Sequence, residues 1–254
     1  MAIRIRVDSS DVRRSIRALA KDDAPMVTAY ALTKTAQDIK AAEVASMQMV
    51  FDRPSRFTLN SLVVKVAKKN DLVAMVYPKD GFGSVPAWRF LGPQIEGGKR
   101  AHKAHEKRLI RAGHMKSDEY AVPGKGAKLD QYGNLSGSTI ERILSQLQAA
   151  EQFAGYKANE TSRSRGRNKR KKTGRYFVLR PDAAGRARGS VAAGIYYRQG
   201  LREIVPVIMF VKAPSYRKRF PFYEIARDTF ADKFVGRARE GFNRFVVSRV
   251  KKVA

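Results

Sequence analysis

The chain has 254 residues, of which 43% are hydrophobic, so it can bury a core and is not a disordered basic tail. Its 51 Lys and Arg residues outnumber its 23 Asp and Glu residues, and the formal net charge of +28 predicts a polyanion or an acidic protein as partner. The chain has no cysteine, which excludes disulfides, thiolate metal sites and cysteine nucleophiles.

The first part of the chain predicts a strand and two helices. Apolar residues alternate with arginines in residues 1–7, which is typical of a strand. A short helix with Val12, Ile16 and Leu19 on one side comes next, and a longer alanine-rich helix runs from Asp22 to about residue 50. We expect this longer helix to pack through a stripe of mostly small residues: Ala31, Leu32, Thr35, Ile39, Ala42, Ser46 and Met49.

The middle of the chain predicts a hairpin followed by an insertion. Residues 57–67 and 72–77 are rich in β-branched residues and are joined by a polar turn. A basic helix is predicted at about residues 99–112, and residues 115–133 are loop-like. We therefore predict that residues 88–137 form a loop and helix insertion.

One more helix, a flexible loop and three strands are predicted next. Ser138 and Glu141 have the spacing of a capping box and precede apolar residues at helical intervals. Residues 158–175 contain no apolar residue after Ala158, so we predict that they form a flexible basic loop. Strands are predicted at residues 175–179, 191–198 and 204–211.

The last segment, residues 220–253, predicts a long helix that packs on the alanine-rich one. Its apolar stripe recurs at every fourth position and comprises Phe222, Ala226, Phe230, Phe234, Ala238, Phe242 and Val246. The order of elements predicts a single α+β domain over residues 1–254. We expect a mainly antiparallel sheet flanked by the long N-terminal and C-terminal helices.

No sequence pattern for nucleotide hydrolysis, metal binding or nuclease chemistry is complete. Residues 92–99 are glycine-rich, but Arg100 stands where a P-loop needs a hydroxyl residue. His102 and His105 have only Glu106 as a neighbouring third ligand, so we interpret the histidines as exposed residues of a basic helix. We predict that the chain is not an enzyme and that it holds no cofactor or metal.

The basic loop is the strongest signal for binding. Its side chains would contact DNA phosphates with salt-dependent affinity and without reading the sequence. An acidic protein neighbour would suit them equally well. The predicted DNA- or partner-contacting residues are Arg163, Arg165, Arg167, Lys169, Arg170, Lys171, Lys172 and Arg175.

Five stretches of the chain resemble a known family. They are VFDRP at residues 50–54, FTLNSL at 57–62, GPQIEGGKR at 92–100, LDQYGNL at 129–135 and FVKAPSYR at 210–217. Together they are similar to the tail-completion, or minor tail protein Z-like, family of tailed bacteriophages and prophages. The match spans most of the chain.

The resemblance implies a structural virion protein at the head–tail junction, with no catalytic residues. Such a protein is made in the cytoplasm of the host bacterium and assembles around the DNA channel as a ring or in several copies. It contacts other neck, tail or connector proteins, helps to position or pass double-stranded genomic DNA, and has no membrane partner. The alternative is a free cytosolic protein that binds nucleic acid without sequence preference.

Overall fold

The structure is a computed structural model that describes residues 21, 23–80, 85–150, 152–153, 156–157, 159–170, 174–181, 191–200 and 202–248. The strand predicted at residues 1–7 and the helix predicted to carry Val12, Ile16 and Leu19 lie outside the described residues. No helix in the described part of the chain is long and apolar enough to cross a membrane.

The fold is α+β, with antiparallel sheets and long helices near both ends of the chain, as the sequence predicts. The helices are α1 (Ala24–Val50), α2 (Arg56–Leu59), α3 (Trp88–Ile95), α4 (Ala104–Arg111), α5 (Gly137–Gln146), α6 (Ser162–Arg170) and α7 (Phe222–Phe242), which continues into a π-helical segment, Asn243–Val247. The strands are β1 (Leu62–Lys65), β2 (Met75–Pro78), β3 (Gly98–Lys99), β4 (Glu119–Pro123), β5 (Gln152–Phe153), β6 (Tyr156–Lys157), β7 (Arg175–Leu179), β8 (Gly194–Arg198), β9 (Ile204–Lys212) and β10 (Ser215–Tyr216).

The chain, which the sequence predicts to be a single domain, divides into two compact units. One unit comprises Met1–Ile95 and Lys218–Ala254, and the other comprises Glu96–Arg217. The second unit is therefore an insertion, longer than the one predicted at residues 88–137. Its two ends pair with each other as the antiparallel strands β3 and β10. Such a boundary depends on pairing between distant segments, which local sequence patterns do not encode.

In the first unit, α1 packs against α7, as the sequence predicts. Arg237 of α7 donates two hydrogen bonds of 2.8 Å to the carboxylate of Asp38 in α1. The hydroxyl of Tyr30 donates to Glu240 at 2.5 Å. Pro25 lies in the first turn of α1, where its missing N–H leaves no helical hydrogen bond unmade.

The predicted packing stripe of α1 is only partly buried. Ala31, Thr35 and Ser46 are buried, but Met49 is 81% exposed and its neighbour Met47 is buried in its place. Met47 joins Leu62, Ala87, Leu91, Ile95, Phe220 and Phe222 in the core of this unit.

The predicted packing stripe of α7 is wrong over much of its length. Phe222 is buried, but Phe230 and Phe242 are 42% and 43% exposed. Residues four apart in a helix are offset by about 40° around its axis, so a stripe that repeats at every fourth position winds by about 200° between residues 222 and 242. A single neighbouring helix cannot cover such a stripe.

The predicted hairpin forms, with shorter strands. Leu62 of β1 lies opposite Pro78 of β2, and Lys65 lies opposite Met75. The beginning of the first predicted strand is instead the helical turn α2, because the hydroxyl of Ser55 caps its N-terminus by accepting a hydrogen bond from the Thr58 N–H.

The inserted unit contains a four-stranded antiparallel sheet in the order β4-β9-β8-β7. Strands β7, β8 and β9 confirm three predicted strands. The sheet packs against α4 and α5 through a core that includes Leu109, Ile143, Leu144, Ile195 and Ile208. The long terminal helices α1 and α7 belong to the first unit.

Strand β4 lies within residues 115–133, which the sequence predicts to be loop-like. All five of its residues pair with β9, from Glu119 opposite Lys212 to Pro123 opposite Ile208. The two buried residues of this strand, Tyr120 and Ala121, are adjacent, so burial does not follow the alternation that identifies a strand in a sequence. The segment is a strand because it pairs with β9, about 90 residues later in the chain.

Candidate functional site

The predicted basic loop contains a helix. Residues 160–174, here called the basic arm, include α6, which begins after Thr161. The Thr161 hydroxyl caps the helix by accepting a 3.2 Å hydrogen bond from the Ser164 N–H. The prediction of a loop relied on the absence of apolar residues, but a cap and the high helix propensity of Arg and Lys favour a helix without them.

The first end of the basic arm is held at the C-terminal end of α5. The Glu160 N–H donates to the Ser145 carbonyl at 3.2 Å, and the Gln148 side-chain amide donates to the carbonyls of both Ser145 and Glu160 at 3.1 Å. Just before the arm, the side-chain oxygen of Asn159 accepts a 2.8 Å hydrogen bond from the Ala150 N–H. Three of these hydrogen bonds involve Asn159 or Glu160, so they fix the start of the arm to one corner of the inserted unit.

The second end of the arm is held at β7. Gly174 has a φ of +81°, a conformation that favours glycine, and its N–H donates to the Arg198 carbonyl at 2.8 Å. The Tyr176 N–H then donates to the side chain of Gln146 in α5 at 2.9 Å. Both ends of the arm are therefore hydrogen-bonded beside α5.

Two arginines lie opposite each other at the end of the arm. Arg175 of β7 is the pairing partner of Arg198 of β8, and the Arg198 guanidinium lies 5.3 Å from the ring centroid of Phe177. These two arginines add positive charge to the inserted unit next to the arm. Sequence reasoning missed Arg198, which is 23 residues from Arg175 and outside the basic run.

The predicted site residues differ in how far the structure describes them. Arg163 and Arg165 are exposed on α6, and Arg175 is half-buried in β7. Arg167, Lys169 and Arg170 lie in α6, where the structure describes their backbone. Lys171 and Lys172 lie outside the described residues.

The aromatic residues beside the arm are already in contact with other side chains. Tyr176 packs against Tyr197 with ring centroids 4.9 Å apart, and it contacts the core of the inserted unit. Phe177 lies beneath Arg198. The arrangement favours charge contacts with a polyanion over stacking with its bases.

The histidines are less exposed than predicted, and the carboxylate of Glu106 is already hydrogen-bonded. His102 stacks on Tyr120 with ring centroids 4.4 Å apart, and burial lowers the pKa of His105 to about 4. The carboxylate of Glu106 accepts hydrogen bonds from Arg100, from the Lys103 N–H and from the Ala121 N–H. In the part of the chain that the structure describes, no three His, Cys, Asp or Glu residues could hold a metal ion.

The stretches that carry the family resemblance lie in core and turn positions. Phe51 packs against Phe220 with ring centroids 5.5 Å apart, and Gly98 pairs with Tyr216 across β3 and β10. Asp130 accepts hydrogen bonds from the N–H groups of residues 132 and 134 and so holds the turn at residues 129–135. These stretches therefore maintain the architecture, whereas the basic arm lies outside them.

Comparisons of the chain with family models, with curated proteins and with solved structures found no match.

Proposed function

We propose that this chain is a structural protein of a tailed phage, a tail-completion or neck component at the head–tail junction. Several copies surround the DNA channel, contact other neck or tail proteins and help to position or pass the genome. The observation that carries the proposal is the basic arm, which has eight basic residues and no acidic one from Arg163 to Arg175 and is hydrogen-bonded at both ends.

The arm suits contact with DNA of any sequence. Phosphate contacts by Arg and Lys carry no sequence information, as a protein on the path of a whole genome requires. A helix with many like charges is weakened by their repulsion, and a neighbouring polyanion relieves it. Arg198 beside Arg175 extends the basic surface beyond the arm itself.

The resemblance of five stretches to tail-completion proteins supports the same role. Their residues lie in the contacts that maintain both units, so the resemblance concerns the architecture of the chain. It brings no catalytic residue with it, and we assign none.

The experiment is mass photometry of the purified protein at low and high salt, combined with fluorescence anisotropy of labelled duplex DNA. We expect a discrete multimer without DNA, and DNA affinity that falls with salt by up to about 0.9 log units per log unit of salt for each phosphate contact. A variant with Arg163→Gln, Arg165→Gln, Arg167→Gln and Lys169→Gln should lose most of this affinity and keep its assembly state.

The matched control removes the same charge elsewhere, with Lys68→Gln, Lys79→Gln, Lys107→Gln and Lys125→Gln, all at exposed positions. It should retain most of the DNA affinity. A chain that stays monomeric at every salt concentration and binds DNA tightly would favour a free nucleic-acid-binding protein. Equal losses in the two variants would show that net charge, and not the arm, determines binding.

A further inference from the structure

The side of α7 that is turned away from α1 carries an exposed apolar stripe. Val235 is 65% exposed and Phe242 is 43% exposed. With Ala231 and Ala238 they follow intervals of three and four residues, the spacing that lines up one face of a helix against another helix. Arg237 and Glu240, which bind α1, lie on a different side of α7. This stripe is here called the outer face of α7.

The two long helices each carry equal numbers of acidic and basic residues within a strongly basic chain. α7 carries four acidic and four basic residues, and α1 carries two of each. The formal net charge of the whole chain is +28. A neutral apolar face has little attraction for DNA, and it is a region where two copies of such a chain can meet without strong repulsion.

Opposite charges flank the outer face. Asp228 precedes the stripe, with its side chain 76% exposed and 3.5 Å from the side chain of Arg227, and Arg239 lies eleven residues, or about three turns, later, between Ala238 and Phe242. In an antiparallel pair of α7 helices with Val235 of one copy over Ala231 of the other, each Asp228 is level with Ala238 of the second copy and one residue, about 1.5 Å along the axis, from its Arg239. A parallel pair would place like charges together.

We propose that the outer face of α7 docks on the same face of a second copy of this chain, with the two helices antiparallel. The contact is two-fold symmetric, so it closes on itself and predicts an even number of copies in the assembly. This proposal deepens the assembly part of the proposed function. It rests on that function for the premise that several copies assemble.

A charge swap tests the pairing. We expect Asp228→Arg and Arg239→Asp to weaken self-association about tenfold or more each, because each brings like charges together twice in the pair. The double variant restores opposite charges and should recover most of the wild-type association. Asp80→Arg is the control for Asp228→Arg, since it makes the same change in net charge at an exposed site away from α7. Sedimentation velocity measures association, and circular dichroism checks folding.

The outcomes separate this proposal from the proposed function. Wild-type multimers that are unchanged in both single variants would overturn the α7 contact and leave the phage role standing. A double variant as weak as the singles would also overturn it, because only the antiparallel pairing predicts rescue. A dimer that Asp228→Arg dissociates, but that binds duplex DNA tightly and never forms a larger assembly, would support the α7 contact and count against the phage role.

Discussion

The guanidinium of Arg100 holds the carboxylate of Glu106 by two hydrogen bonds, of 2.7 and 2.5 Å. The Glu106 side chain is fully buried and the Arg100 side chain is 10% exposed. The same carboxylate accepts 2.6 and 2.8 Å hydrogen bonds from the N–H groups of Lys103 and Ala121. One buried acid therefore joins the segment after β3, the start of α4 and strand β4.

Glu106→Gln should destabilise the inserted unit by about 3–5 kcal/mol, because it leaves the Arg100 charge buried without its partner. The double variant Arg100→Met, Glu106→Leu should lose less, since it removes both charges. Urea unfolding followed by circular dichroism measures both, with the exposed Glu141→Gln as control. A double variant less stable than Glu106→Gln alone would contradict the argument.

Glu106 also predicts how the inserted unit responds to acid. Burial opposes ionisation of this group, but hydrogen bonds from Arg100 and from two backbone N–H groups outweigh it and lower its pKa. Its contribution is therefore complete above the pKa of the unfolded chain, near 4.5, and is lost as pH falls through the lower folded value. Wild-type protein should lose stability below about pH 4.5 more steeply than the Arg100→Met, Glu106→Leu variant.

Glu43 in α1 predicts the opposite response. It is fully buried, and its carboxylate oxygens have no hydrogen-bond partner among the described residues. Burial, helped by the charge of Glu224, raises its pKa from 4.5 to about 8. The folded protein keeps this proton over a range in which the unfolded chain releases it. The contribution of Glu43 to stability should therefore be most favourable below pH 4.5 and fall by up to about 5 kcal/mol as the pH rises to 8.

Replacing Glu43 with an apolar residue tests that response. Glu43→Leu should raise the free energy of unfolding at pH 8 by roughly 1–4 kcal/mol and have a smaller effect at pH 4.5. Denaturant unfolding at the two pH values measures the difference. If wild type and variant have the same dependence on pH, Glu43 is not the titrating group.

Gly194 in β8 is predicted to resist substitution. A Cβ atom at this position would overlap the carbonyl oxygen of Ile208 in the neighbouring strand. Gly194→Ala should therefore cost about 1–3 kcal/mol by forcing β8 and β9 apart. Gly137→Ala is the matched control, because a Cβ in this first turn of α5 meets nothing within 4 Å. It should stabilise the protein by about 0.4–1 kcal/mol in the same thermal unfolding assay.

We predict that Arg175 strengthens the binding of duplex DNA and lowers the stability of the folded protein. Its pairing partner in the sheet is Arg198, and two like charges in this arrangement repel. Arg175→Gln should raise stability at low salt by a few tenths of a kcal/mol, up to about 1, and the gain should shrink as salt is added. The same variant should bind duplex DNA more weakly and reduce the salt slope by about 1. Lower stability together with unchanged DNA affinity would refute both statements.

Sequence reasoning succeeded where a segment's pattern is local. The start of α1, the strands β7 to β9 and the helix α5 follow from patterns within about ten residues, although Ser136, and not the predicted Ser138, caps α5. It failed for β4, whose partner β9 is about 90 residues away, and for α6, whose helix depends on a cap and not on an apolar face. For the candidate site, the run from Arg163 to Arg175 was visible in the sequence, but Arg198 and the hydrogen bonds at both ends were not.

The sequence by itself determined the α+β class, the packing of the alanine-rich helix on the terminal helix, and the segment that carries the most positive charge. Only the tertiary structure decided that residues 96–217 form a separate unit, that Glu106 is bound to Arg100, and that α7 leaves one face exposed. Periodicity reports which residues share a face of one element. Which element covers that face depends on long-range pairing, to which residues far apart in the chain contribute jointly.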